Sequence, residues 1–114
     1  MRPFQLLAPP VLALGLAACQ HPAERDAGQG LAFAQASCGG CHAVERYGSS
    51  PNPDSPPFAA IVNQPGLTRD TLGTWLRDAH NYPEEMEFWL EGKEVESLVE
   101  HMLTLVDPNY RPAI

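Results

Sequence analysis

Residues 38–42 read Cys38-Gly39-Gly40-Cys41-His42, two thiols three apart with an imidazole directly after the second. Residues three apart on one helical turn share a face, so both sulfurs come out on the same side. Sulfurs so placed can add to the two vinyl groups of a flat porphyrin, and the histidine that follows can reach the iron as proximal ligand. The spacing is that of covalent attachment of a c-type haem. Glycine at both middle positions lets the backbone approach a ring closely. Without His42, the cysteine pair would also suit half of a zinc site or a redox dithiol. Zinc requires a second ligand pair, and a thioredoxin-like dithiol requires strands alternating with helices around it; the sequence displays neither.

The chain has 114 residues and three cysteines, and the third cysteine, Cys19, closes an apolar opening segment. Residues 1–18 carry one charge, on Arg2, and run mostly apolar from Phe4 to Ala18. Pro9-Pro10 would break a buried helix there, and the run is short for a membrane span, so it reads as a signal peptide. Leu16-Ala17-Ala18-Cys19 resembles the bacterial lipobox, where the chain is cut before a cysteine that is then lipidated. The expectation is a lipoprotein-type signal over 1–18, lipidation at Cys19 and a short polar tether over 19–26; a chance cysteine is the other reading. More than one acyl chain on Cys19 suffices for stable anchoring. With one cysteine given to lipid and two to haem, no thiol is left over. The expected location is outside the cytoplasmic membrane, as an anchored lipoprotein facing the periplasm, which is also where bacterial c-type haem attachment takes place.

Loss of Arg2 with residues 1–18 makes the mature chain one unit more negative than the formal −7 of the whole sequence. That balance argues against nucleic acid and against electrostatic docking on anionic lipid. It suits redox partner proteins with a basic docking patch, or serves solubility alone. The mature length allows one domain with a modest core, to which a haem would add apolar contact.

Working outward from the motif, a first helix is expected over about 27–36, with Leu31, Phe33 and Ala34 as its apolar side. Gly28 and Gly30 each weaken it by roughly 1 kcal/mol, and Gly30 suits a close helix crossing. Residues 48–57, Gly-Ser-Ser-Pro-Asn-Pro-Asp-Ser-Pro-Pro, are loop. Phe58-Ala-Ala-Ile-Val62 is a short apolar piece that could lie on a haem edge or form a buried strand. A second helix is expected from Thr68 as N-cap, with Leu72, Trp75, Leu76 and Ala79 on one face and an end by Pro83. The closing helix carries Val95, Leu98, Val99, Met102, Leu103 and Val106 at helical spacing, with Glu94 and Glu96 in its first turn and Asp107-Pro108 as its stop. Three or more helices, no strand pair and no repeat make the chain all-α, with the domain over 27–107 and a tail over 108–114.

A second axial ligand would close the iron. His21 lies in the tether. Met102 sits on the apolar stripe of the closing helix as core, and His101 on its flank as a partly exposed helix histidine. Met86 lies in the non-helical stretch Tyr82-Pro-Glu-Glu-Met-Glu-Phe-Trp-Leu90, which can bring a thioether to the distal side while the helices stay packed. Met86 is the preferred ligand, with a core methionine as the bland reading and His80 as the other ligand.

The chain resembles the small bacterial class I cytochromes c. The resemblance rests on Gly30-(x7)-Cys38-Gly-Gly-Cys41-His42-Ala43, Pro56-Pro57-Phe58, Leu72-(x2)-Trp75-Leu76-Arg77 and Glu94-Val95-(x2)-Leu98-Val99-(x2)-Met102-(x2)-Leu105, over about residues 28–107. It implies the cytochrome c fold, helices wrapped around one covalently bound haem c with His42 and a methionine as axial ligands. It also implies that a prolyl carbonyl, from Pro56 or Pro57, holds the imidazole N–H of His42, and that Trp75 lies near a haem propionate. The family often has His-x-x-Met-Pro, whereas here Tyr82 stands at the methionine's place and Met86 follows Pro83. His101 stands where the family usually has an aromatic residue against the first helix.

The expected function is one-electron transfer between redox partners, from a domain held near its membrane by the lipid. No acid–base pair or nucleophile constellation accompanies the motif, so no enzyme is expected. A haem-based sensor or peroxidase-like protein follows instead if Met86 does not ligate. A small haem subunit of a larger complex and a haem-free dithiol oxidoreductase are the other readings.

Overall fold

The structure is a computed structural model and describes residues 21–78 and 83–112. Cys19, the signal segment and His80 lie outside these. The described residues form α1 (Pro22–Ser37), α2 (Phe58–Val62), α3 (Arg69–Asp78), a 3-10 turn (Glu84–Met86) and α4 (Gly92–Leu103), with no strand among them. The class is all-α, as the sequence indicates.

α4 organises the packing. α1 crosses it over the most extensive helix–helix surface, and α3 and α2 pack on it elsewhere. Its stripe is Val95, Leu98, Val99 and Met102, all buried. Ala34 comes to it from α1, Phe58 and Val62 from α2, and Leu72 and Leu76 from α3, while Val44, Leu90 and Leu105 fill between them. Met102 is 1% exposed and lies in the core. Met102→Ala is therefore expected to cost about 2–5 kcal/mol as a core truncation, read by denaturant unfolding.

The α1–α4 crossing depends on Gly30. A Cβ built there would lie 1.8 Å from the Ser97 carbonyl oxygen, 2.5 Å from its carbon and 2.9 Å from the His101 Cβ. Helix propensity disfavours glycine in this position, and the close approach overrides it.

Three segments and one burial differ from the sequence expectation, and one segment left open by it is decided. α1 begins at Pro22, so most of the segment read as a tether is helix. Proline at the first helical position has its φ already set, and the Glu24 carboxylate accepts the His21 N–H at 3.2 Å, closing the end. Polar composition is compatible with this first turn because it is solvent-exposed. Phe58–Val62 is a helical turn rather than a strand. The stretch around Met86 holds a 3-10 turn, with the Met86 N–H on the Pro83 carbonyl at 2.8 Å. α4 ends at Leu103, ahead of Asp107-Pro108, and Val106 is exposed. There the Asn63 amide donates to the carbonyls of Ala59 (2.8 Å) and Leu105 (3.2 Å), and its oxygen accepts the Asp107 N–H (2.8 Å). One side chain at the end of α2 thus takes up polar groups that a longer α4 would have used itself. His101, finally, is 5% exposed rather than on a wet flank.

The cap of α3 is as expected. The Thr68 hydroxyl accepts the Thr71 N–H at 3.2 Å, and the Thr71 hydroxyl accepts the Thr68 N–H at 2.9 Å.

Candidate functional site

The cysteine motif is built on the end of α1. Cys38 caps the helix, and the Ala34 carbonyl accepts N–H groups from both Cys38 and Gly39 at 2.8 Å. The chain then winds one more turn, with the N–H groups of Cys41 (3.1 Å) and His42 (2.9 Å) on the Cys38 carbonyl. Cys38 and Cys41 thus bracket a single turn. The two glycines differ in purpose. A Cβ on Gly39 would meet the Gln35 carbonyl oxygen at 2.7 Å, so this glycine answers to its own helix end, whereas Gly40 faces open space. Neither thiol is in a disulfide; Cys38 is half-buried and Cys41 exposed.

His42 is held on two sides. Its Nδ1 lies 2.7 Å from the Pro56 carbonyl oxygen, and its ring sits 5.6 Å from the Phe58 ring at a 49° tilt. A carbonyl oxygen only accepts, so Nδ1 carries a proton, and in the neutral ring Nε2 is the nitrogen with the free lone pair. The prolyl acceptor is Pro56, not Pro57. The Pro57 carbonyl is turned into α2, where it accepts from Ala60 (2.9 Å) and Ile61 (3.1 Å). The loop carrying Pro56 is fastened to the motif: the Ser50 hydroxyl accepts the Ala43 N–H (3.0 Å), the Cys41 carbonyl accepts from Asn52 (3.1 Å), and the Ala43 carbonyl accepts from Phe58 (2.9 Å). Sequence composition marks these residues as loop; these bonds fix where the loop lies.

The segment after His42 is tied to the far helices as well. His101 Nε2–H donates to the Val44 carbonyl at 2.7 Å, the Arg46 guanidinium donates to the Thr104 carbonyl, and the Gln35 amide donates to Glu45 at 3.0 Å. The sequence marks His101 as a flank residue of the closing helix, at a place where the family usually has an aromatic side chain. A buried imidazole needs a partner, but helical spacing does not reveal that the partner is a backbone carbonyl next to the motif.

Burial, and then the neighbouring Cys41, push the Cys38 thiol above its usual range. Its place at the carboxyl end of α1, where the helix dipole is negative, opposes a thiolate too. Redox dithiols need the reverse, a depressed pKa of the kind found at a helix amino end. A zinc site would need more ligands; among the described residues no three His, Cys, Asp or Glu side chains gather to hold a metal ion.

The bonds and ring contact above join Cys38, Cys41, His42, Pro56 and Phe58, and none of them reaches Met86 or Trp75. Met86 is half-buried at the end of the 3-10 turn. Trp75 lies on α3 between buried Leu72 and Leu76 and is 36% exposed. Near the Cys38 end of α1, Phe33, Ser37, Phe88, Trp89, Leu90 and Glu94 line a cleft of about 290 Å³. Trp89 is 83% exposed there, a large apolar surface for a domain of this size. Two thiols on one turn, an imidazole with one nitrogen fixed as donor, and apolar surface close by fit the demands of a covalently held macrocycle. Family models, curated proteins and solved structures offer no match to this chain.

Proposed function

We propose that the chain is a membrane-tethered one-electron carrier with one haem c, of the kind the small class I cytochromes c represent. The observation that carries this reading is the hydrogen bond from His42 Nδ1 to the Pro56 carbonyl, directly after the cysteine turn. It selects the tautomer in which Nε2 is the free nitrogen and fixes the ring's rotation, which is what a nitrogen ligand to iron requires. When bound, the haem supplies an iron that alternates between ferric and ferrous states one electron at a time. Cys38 and Cys41 would hold it through thioethers, His42 would give the proximal nitrogen, and Phe58 limits the tilt of that imidazole. Met86 would give the second axial donor. No acid, base or nucleophile of the chain takes part, so the protein is a carrier and not an enzyme. Its acidic surface suits redox partners with basic patches, and lipidated Cys19 would hold it at a membrane on the periplasmic side.

The test is the mass and the pyridine haemochrome spectrum of the mature protein from cells with a working haem-attachment system. One haem per chain, retained through acid–acetone extraction, is expected; a chain with no covalent haem would sink the proposal.

Met86→Ala is expected to remove the weak red-end absorption band that reports methionine-to-iron bonding and to lower the midpoint potential, because a thioether favours ferrous iron. Covalent haem content should be unchanged. A wild-type protein without that band would point to His80 as the second ligand if the iron is six-coordinate, and to the open-site reading, a sensor or peroxidase-like protein, if it is five-coordinate.

A further inference from the structure

We infer that α1 is a short strut that presents the Cys38–His42 turn at a limited height above the bilayer, to a redox partner in the same membrane. The inference rests on the proposed lipidation of Cys19. Helix α1 begins at Pro22, and its start is closed by the Glu24 carboxylate on the His21 N–H, so the ordered domain reaches back to His21. Only Gln20 separates His21 from Cys19. Whatever path these residues take, three peptide steps span at most about 11 Å. The helix itself, 16 residues long, carries Cys38 about 24 Å from its first turn.

The strut does not hinge separately from the domain. Gly30 seats α1 directly on the Ser97 backbone of α4, and Ala34 is fully buried in the same core. α1 and the rest of the domain therefore form one body, with the cysteine turn at the end of α1 opposite Pro22. Negative charge opposes its lying flat on an anionic leaflet. Upright, the turn stands no more than about 35 Å above the attachment point, the sum of the link and helix lengths. A partner able to use it has its own redox group within that height. A membrane-bound protein with a docking face close to the bilayer meets this condition, whereas a long flexible tether would impose no such restriction.

Neutron reflectometry of the full lipidated holoprotein on a supported phosphatidylcholine–phosphatidylglycerol bilayer tests this. Protein density is expected to begin within about 11 Å of the headgroups. Twelve Gly/Ser residues inserted between Gln20 and His21 should widen the hydrated gap by roughly 20 Å, with the haem spectrum unchanged. A wild-type gap of 20 Å or more, or no change on insertion, would overturn the strut. Cys19→Ser should leave the bilayer bare; if it binds as well as the wild type, the lipid reading itself fails, and the inference with it.

Discussion

Gly30→Ala is expected to destabilise the folded protein while Gly28→Ala, one half-turn away on the same helix, stabilises it. Propensity alone treats the two alike, since replacing glycine within a helix gains about 0.5–1 kcal/mol. At Gly28 no atom lies within 4 Å of a new Cβ, so that gain should appear in full. At Gly30 the new methyl would lie 1.8 Å from the Ser97 carbonyl oxygen, which is backbone of a packed helix and cannot rotate aside. α1 and α4 must then separate along their main contact, and overpacking of this kind costs about 1–3 kcal/mol, sometimes more. Because the clash is with backbone, the upper end applies, and the midpoint of thermal unfolding should fall by roughly 8 °C or more. Thermal scans of both holoproteins decide the matter. A rise in both midpoints would mean the helices do not approach as closely as described.

Cys38→Ala and Cys41→Ala should each remove most mature holoprotein. On the proposed reading each leaves at most one thioether, and a small helical domain that takes apolar contact from a haem would then lose a covalent hold on it. The two need not be equal. Cys38 is half-buried beside the core and Cys41 is exposed, so Cys38→Ala also removes packing whereas Cys41→Ala does not. Comparable loss in Cys38→Ala and Cys41→Ala would assign the effect to the missing thioether rather than to packing. Normal covalent haem in both alanine variants would overturn the cofactor assignment.

The parts legible in the sequence are those written in local spacing. The α4 stripe from Val95 to Met102 follows a helical period, Thr68 caps α3 three residues before its partner, and the cysteine turn is one turn long because its cysteines are three apart. Gly30 was legible too, as a glycine placed where propensity argues against it. The misread parts depend on groups distant in sequence. Asn63 ends α4 from another helix, and His101 is buried by a carbonyl on the far side of the motif. Pro56 and Pro57 are neighbours of the same type; which carbonyl meets His42 follows from where α2 starts, since its first turn claims the Pro57 oxygen. Pro22 was passed over because an exposed polar turn and a polar linker have the same composition.

The α1–α4 crossing also sets an order of events. It joins the first and last helices of the domain, and the last supplies Val95, Leu98, Val99 and Met102, the side chains around which the others pack. A chain delivered amino end first exposes Cys38, Cys41 and His42 long before α4 exists to complete the interior. Forming the crossing then costs the entropy of closing a long loop, and among the described residues α1 has no other helix to pair with earlier. On the proposed haem reading, the cysteine turn would be open to the attachment machinery until the final helix arrives to complete the core.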